Sequence, residues 1–324
     1  MKRYHLKVTA ILAAVCVAFP LPALFSAKGD EQKTIPPQVI QKPVSEEYFR
    51  VKDKSGGIIN YSERDYILGV VAAEMPASYS VEALKAQTVA AYTIAVRRRN
   101  IARKENADCD IVADSTVDQA FYPIDETAKK WGADAEIYKA KIEKAVDSVL
   151  GEVITYDSQL IDAVFFAISN GKTEDAINVW GNEIPYLKSV DSAGDITAKG
   201  YLTTVSISTD DFKAVCDEEG IKLGEDKKGW IGKQTLTNAG QTKSIVIGDK
   251  TLSGKEVRSL FSLRSATFAV ALNEDTFTFT VRGYGHGVGM SQFGANYMSE
   301  LGADYKEILC WYYKGCEIKN IQDL

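Results

Sequence analysis

Histidine is almost missing from this chain: His5 and His286 are the only two in 324 residues. The five cysteines, Cys16, Cys109, Cys216, Cys310 and Cys316, nowhere form a Cys-x-x-Cys pair. A structural zinc takes about four Cys, His or carboxylate ligands in a tetrahedron. Cys109 alone supplies no such set, so the sequence predicts no metal. Disulfides are equally limited. Cys310 and Cys316 are nearest in sequence, and an oxidising compartment would permit a bridge between them, with reduced thiols as the other reading.

Positive charge is also short. The chain has 38 Lys and Arg against 44 Asp and Glu. Residues 1–27 hold Lys2, Arg3 and Lys7 and no carboxylate, so the remainder has 35 cations against 44 acids, a net −9. Nucleic acid selects a basic face, which excludes it as a partner. A second, electrostatic hold on anionic lipid is excluded for the same reason. Membrane contact must come from the apolar run Val8–Phe25, which follows a basic flank and reads as a signal peptide or signal anchor. Phe25 makes a poor cleavage position, which favours an uncleaved anchor with the rest of the chain outside the cytoplasm. Residues 28–47, with Pro36, Pro37 and Pro43 among Lys, Gln and Glu, read as an extended linker. A 45% hydrophobic and 25% charged composition suits a folded domain, placed at residues 48–324.

Within that domain one stretch stands out, Gly69 to Ala91. An apolar segment opened by Ser62 runs into a single carboxylate, Glu74. Pro76 disfavours helical geometry at Met75, so the backbone should turn there. Ser80 is the expected N-cap of a second, alanine-rich helix reaching Arg97-Arg98-Arg99, whose charges would favour its last turn. At the end of a buried segment Glu74 would hold its proton more tightly than an exposed glutamate, as a general acid requires. The plain alternative is a glutamate that neutralises a helix end.

Further on, Trp131–Leu150 reads as an amphipathic helix with Ile137, Ile142, Ala145, Val146 and Val149 on one face. Strands are expected at Gly151–Tyr156 and Ala163–Ile168, the second leading into Ser169-Asn170-Gly171. Residues 201–208 alternate like an exposed-edge strand, and a helix is expected from Asp210 or Asp211 through Glu219. Residues 241–282 read as β-rich, with a short helix that Ser253 would cap. A last block, Gly283-Tyr284-Gly-His286-Gly-Val-Gly, packs glycines around His286. Such glycines let backbone approach a ligand closely. The expected class is α+β.

Three blocks resemble the stage II sporulation protein D family: Val70–Gln87, Thr173–Gly181 and Gly283–Ala295. The resemblance implies a single SpoIID-type catalytic domain with helical and β-rich parts, and a peptidoglycan lytic transglycosylase with Glu74 as the catalytic glutamate. It implies substrate contacts by Lys85, Gln87, Ser169, Asn170, Tyr284, His286 and Gln292, with Glu174 and Asp175 as the nearest further carboxylates. It implies glycan strands as substrate, a cell-wall amidase as partner, a location facing the cell wall, and no cofactor. The chain also departs from the family pattern. Tyr92 stands where an Arg is usual, Phe166 where a His is usual, and Val117 and Asp118 where some members place zinc ligands. These departures keep open a second reading, a glycan-binding regulator of an amidase.

Overall fold

Ser62 starts the architecture that positions Glu74. Its hydroxyl accepts the Asp65 N–H at 3.1 Å and caps a helix over Glu63–Glu74. In the computed structural model, residues 48–114 and 117–324 are described; the signal, anchor and linker readings lie outside them. Two antiparallel strands, β1 (Tyr48–Lys52) and β2 (Ile58–Ser62), lead into this helix, α1. Tyr66 through Ala72 are all buried, so α1 is an interior helix, apolar on every side. It stops where Pro76 dictates: Met75 is extended, at φ −117° and ψ 137°.

The next helix, α2 (Val81–Lys104), is the centre of the larger core. Leu84, Val89, Ala90, Ala91 and Ala95 are fully buried. The hydroxyls of Thr88 and Thr93 bond back to carbonyls one turn earlier, which lets them sit in an apolar interior. Ser80 is the N-cap as expected, but its side chain makes no capping bond, and its hydroxyl is buried without a partner among the described residues. Its N–H is taken by Asn296 Oδ1 at 2.8 Å instead. One expectation is corrected here: the helix runs past Arg97-Arg98-Arg99 to Lys104, so Arg103 and Lys104 occupy its last turn, and the three arginines pair with carboxylates. Arg97 reaches Asp162 at 3.9 Å, Arg98 reaches Asp118 at 3.1 Å, and Arg99 reaches Glu63 at 2.6 Å.

Around α2 pack β3 (Ile111–Val112), α3 (Ile124–Ala128), α4 (Ala135–Val149), β4 (Glu152–Tyr156) and β5 (Gln159–Leu160). On α4 Ile142, Ala145, Val146 and Val149 are buried as expected, while Ile137 faces solvent. The strand foreseen at Ala163–Ile168 shortens to β6 (Phe165–Phe166). A helical turn, α5 (Ala176–Trp180), follows it.

Residues 202–282 form a second core. Strands β7 (Leu202–Ser208), β8 (Ile231–Leu236), β9 (Thr242–Ile247), β10 (Lys250–Leu252), β11 (Phe268–Asn273) and β12 (Thr276–Arg282) make two antiparallel three-stranded sheets, ordered β11-β12-β7 and β10-β9-β8. With them are α6 (Thr209–Glu218) and α7 (Gly254–Leu260). Phe212 stacks on Phe261 with ring centroids 4.9 Å apart and lies tilted against Phe277 at 4.3 Å. The chain then returns to the first core through β13 (Met290–Ser291), α8 (Gln292–Glu300), α9 (Tyr305–Tyr312) and β14 (Glu317–Asn320). Mixed helix and strand over two cores is the α+β class expected. Among the described residues no helix is long and apolar enough to cross a membrane.

Cys109, Cys216, Cys310 and Cys316 are free thiols. Cys310 Sγ points to the Cys316 carbonyl at 3.9 Å.

Candidate functional site

Glu74 is the last residue of α1, half-buried, with its carboxyl beyond the helix. Oε1 accepts the backbone N–H of Ala120 at 2.7 Å. Oε2 takes no hydrogen bond from the described residues. Burial raises the carboxyl pKa above the ordinary glutamate value, and the Ala120 N–H opposes that only in part. Among the described residues no cation offsets it.

The loop carrying Ala120 is held at several points. Asp118 Oδ2 accepts the Val112 N–H at 2.8 Å, and its other oxygen pairs with Arg98. Phe121 stacks on Tyr66 at 5.0 Å and meets Tyr61 edge-on at 4.8 Å. Gly69 on α1 makes room for this loop: a Cβ there would lie 2.5 Å from both the Phe121 ring and the Tyr122 carbonyl oxygen. Among the described residues no group of three or more His, Cys, Asp or Glu side chains could hold a metal ion. At Asp118, one of the positions where some family members place a zinc ligand, a salt bridge and a backbone bond do the pinning.

Behind Glu74, Gln292 at the start of α8 donates to the Glu74 carbonyl at 3.0 Å and to Gln87 Oε1 at 3.2 Å. Gln87 Nε2 is buried with no partner. The structure thus brings Glu74, Gln87 and Gln292 together. Lys85 is elsewhere occupied: its Nζ pairs with Glu82 at 2.7 Å and lies 5.7 Å over the Tyr305 ring.

The glycine block runs beside β6. Ile168 and Tyr284 exchange backbone hydrogen bonds at 3.0 and 2.7 Å, and β13 pairs in parallel with β6. Close approach explains the glycines. A Cβ on Gly289 would meet the Val164 carbonyl oxygen at 2.1 Å, and Gly287, at φ +87°, would strike the Gln241 amide. His286 is fixed within this block. The Val288 N–H donates to Nδ1 at 3.1 Å, so Nε2 carries the proton and donates to the Phe165 carbonyl, also at 3.1 Å. Burial lowers its pKa to about 4, so the ring is neutral. Trp180 and Phe166 flank it, each with centroids 5.5 Å away.

Ser169 turns inward. Its hydroxyl donates to Asp195 Oδ2 at 2.5 Å, joined by Ser192 at 2.6 Å, while Ser291 donates to Oδ1 at 2.7 Å. Asn170 bonds the Ala239 carbonyl at 2.9 Å and Thr267 Oγ1 at 3.1 Å. Glu174 is buried, with Oε1 held by Asn178 at 2.7 Å and Oε2 by Thr237 at 2.5 Å, and Asp175 accepts the Ser189 N–H at 2.9 Å. Tyr284 remains 45% exposed. Tyr92 does not face the site: its hydroxyl donates to Glu63 Oε2 at 2.8 Å, in a buried group with Arg99.

Sequence reasoning missed Asp195, Ala120 and Tyr66. Tyr66 is buried with an unpartnered hydroxyl; burial first, then the charges of Asp118 and Glu74, raise its pKa and keep it protonated. Its place in an apolar helix looked like simple core, and a backbone N–H leaves no trace in a sequence.

Comparison with known proteins matches residues 52–156 to the family model described as Stage II sporulation protein. The chain is 40% identical over 278 residues to Stage II sporulation protein D of Bacillus subtilis (strain 168), covering 85% of this chain and 79% of that one. It is 39% identical over 291 residues to the Bacillus amyloliquefaciens protein of the same name, covering 89% and 82%. Another relative, the Amidase enhancer of Bacillus subtilis (strain 168), is 28% identical over 299 residues, 76% of this chain and 39% of that protein.

Proposed function

Since the chain belongs to the stage II sporulation protein D family, we propose that it is a lytic transglycosylase acting on peptidoglycan glycan strands already stripped of their peptides, during engulfment in sporulation. The observation that carries this reading is the asymmetric setting of Glu74. One oxygen is held by Ala120 and the other is open, on a carboxyl whose pKa is raised by burial. Glu74 gives its proton to the glycosidic oxygen between N-acetylmuramic acid and N-acetylglucosamine. As a carboxylate it then takes the proton of the muramic C6 hydroxyl, which attacks C1 and closes a 1,6-anhydro ring. One carboxylate serves both steps because the nucleophile belongs to the substrate, so the paired-carboxylate geometry of hydrolases does not apply. Gln87 and Gln292 fix the backbone from which Glu74 projects, and Tyr284 offers an exposed ring, while Lys85, Ser169, Asn170 and His286 are held by partners of their own. The mechanism calls on no metal or cofactor.

Such a substrate places the domain outside the cytoplasm, facing the cell wall, with the N-terminal apolar run as its membrane anchor. An amidase that removes the peptides is the partner this reading needs.

The test is mass spectrometry of products from the purified full-length chain and peptide-free glycan strands, beside Glu74→Gln. Anhydromuramic ends that vanish in the variant support the reading; reducing ends would replace the transglycosylase with a hydrolase. The likeness to a protein named Amidase enhancer favours one second reading, a non-catalytic regulator. Strand binding and amidase stimulation without cleavage by the wild type would select it.

A further inference from the structure

Nine arginines lie among the described residues. Six reach carboxylates: Arg50 and Arg103 share Asp110, and Arg64, Arg97, Arg98 and Arg99 reach Asp147, Asp162, Asp118 and Glu63. Arg258, Arg264 and Arg282 meet no carboxylate among the described residues, and all three gather near Tyr284. The Arg264 guanidinium lies 4.1 Å over the Tyr284 ring. It donates to the Gly200 carbonyl at 3.2 Å, and the adjoining Ser265 bridges to Gly285. Arg258, on α7, reaches only the Leu263 carbonyl, at a long 3.4 Å. The Tyr284 hydroxyl favours its charge, and that charge in turn disfavours protonation of His286. Arg282 is exposed, two residues before Tyr284 at the end of β12.

Arg258 and Arg264 are half-buried, and a partly desolvated cation without a counter-charge is costly. Arg258 shows that cost, since burial draws its pKa below the usual arginine value. An acidic protein that neutralises its other six described arginines leaves this corner open. The guanidinium fork matches a planar carboxylate, and an exposed aromatic ring offers a flat face beside it.

We propose that Arg258 and Arg264, on the Tyr284 platform, form a subsite for the carboxylate of an acidic sugar, namely the free lactyl group of a muramic acid that has lost its peptide. This rests on the glycan-strand reading above and deepens it: a peptide-capped lactyl group is an amide without charge, so the subsite would select stripped strands. Position agrees. Tyr284 opens the glycine-rich segment whose far end is Gln292, bonded to the Glu74 carbonyl. The eight residue steps from Tyr284 to Gln292 span at most about 29 Å, within reach of a short glycan.

The experiment is equilibrium binding of the full-length chain, with no cleavage required. The ligands are peptide-free strands, the same strands with lactyl carboxylates converted to methyl amides, neutral N-acetylglucosamine oligomers, and a glycerol-phosphate polymer. Wild type should prefer the acidic strands by on the order of tenfold over the amidated ones, with the preference shrinking as salt rises. Arg258→Gln and Arg264→Gln should each remove most of that preference and leave neutral-oligomer binding unchanged. Equal binding of acidic and amidated strands by wild type overturns the proposal, whatever the variants do. Competition by the phosphate polymer as strong as by the acidic strands also overturns it, assigning the site to phosphodiesters. Arginine-dependent binding without cleavage would uphold the subsite while removing the transglycosylase.

Discussion

The backbone N–H of Ala120 meets Glu74 Oε1 at 2.7 Å, joining residues 46 apart in sequence. It is the sole hydrogen bond to that carboxyl among the described residues, so the loop that presents Ala120 sets both where the carboxyl points and how tightly it holds its proton.

Glu74→Gln keeps an oxygen for Ala120 and removes the ionisable carboxyl proton. Cleavage should fall by roughly 10²–10⁴-fold, with an unchanged or higher melting temperature, because a partly buried carboxylate is gone. Initial rates beside a thermal melt decide it; a rate within twofold of wild type rejects the role.

Asp118→Ala should release the loop from Val112 and Arg98. The Ala120 bond lowers the Glu74 pKa and burial raises it, so losing the bond should move the Glu74 titration further up. The basic limb of the cleavage profile should follow. Carboxyl-¹³C NMR of Glu74 reads this without turnover. An unmoved Glu74 resonance in Asp118→Ala would separate the loop from the acid.

Gly69→Ala adds a methyl 2.5 Å from the Phe121 ring and the Tyr122 carbonyl. In an open helix the change would stabilise slightly. Here overpacking should cost about 1–3 kcal/mol and lift the loop, lowering stability and cleavage together. Denaturant unfolding beside the rate assay measures both; a stabilised, fully active variant would mean that the loop yields freely.

His286 has a pKa lowered by burial to about 4, against about 6.5 unfolded. Its contribution to stability is therefore whole above pH 6.5 and is lost as pH falls through 4, roughly 3 kcal/mol in all. Unfolding free energy against pH, compared with His286→Gln, should show a smaller acid loss in the variant. ¹⁵N shifts should report a neutral ring protonated at Nε2.

Local signals were legible where local physics decides. Ser62 and Pro76 bracket α1 because a cap and a pre-proline residue act over a few positions. Helix α2 overran its expected end, and Arg97, Arg98 and Arg99 pair instead with Asp162, Asp118 and Glu63, which sequence distance conceals. Ser80 holds the N-cap position as expected, but its hydroxyl makes no capping bond, and its N–H is taken by Asn296, 216 residues away. Ser169 looked like a sugar contact in a polar loop, yet the buried Asp195 takes its hydroxyl. The three-hydroxyl grip on Asp195 is invisible until Ser169, Ser192 and Ser291 are neighbours.

Helix α2 also dictates a schedule. Its partners include α8 and α9 near the C-terminus, and Tyr305 N–H closes onto Glu82 across 223 residues. A ribosome that has released Glu74 and Gln87 has not yet made Gln292, so a nascent chain holds the acid long before it holds the site. Contacts of such range close late and slowly. The assembled site would therefore exist only once synthesis is nearly complete.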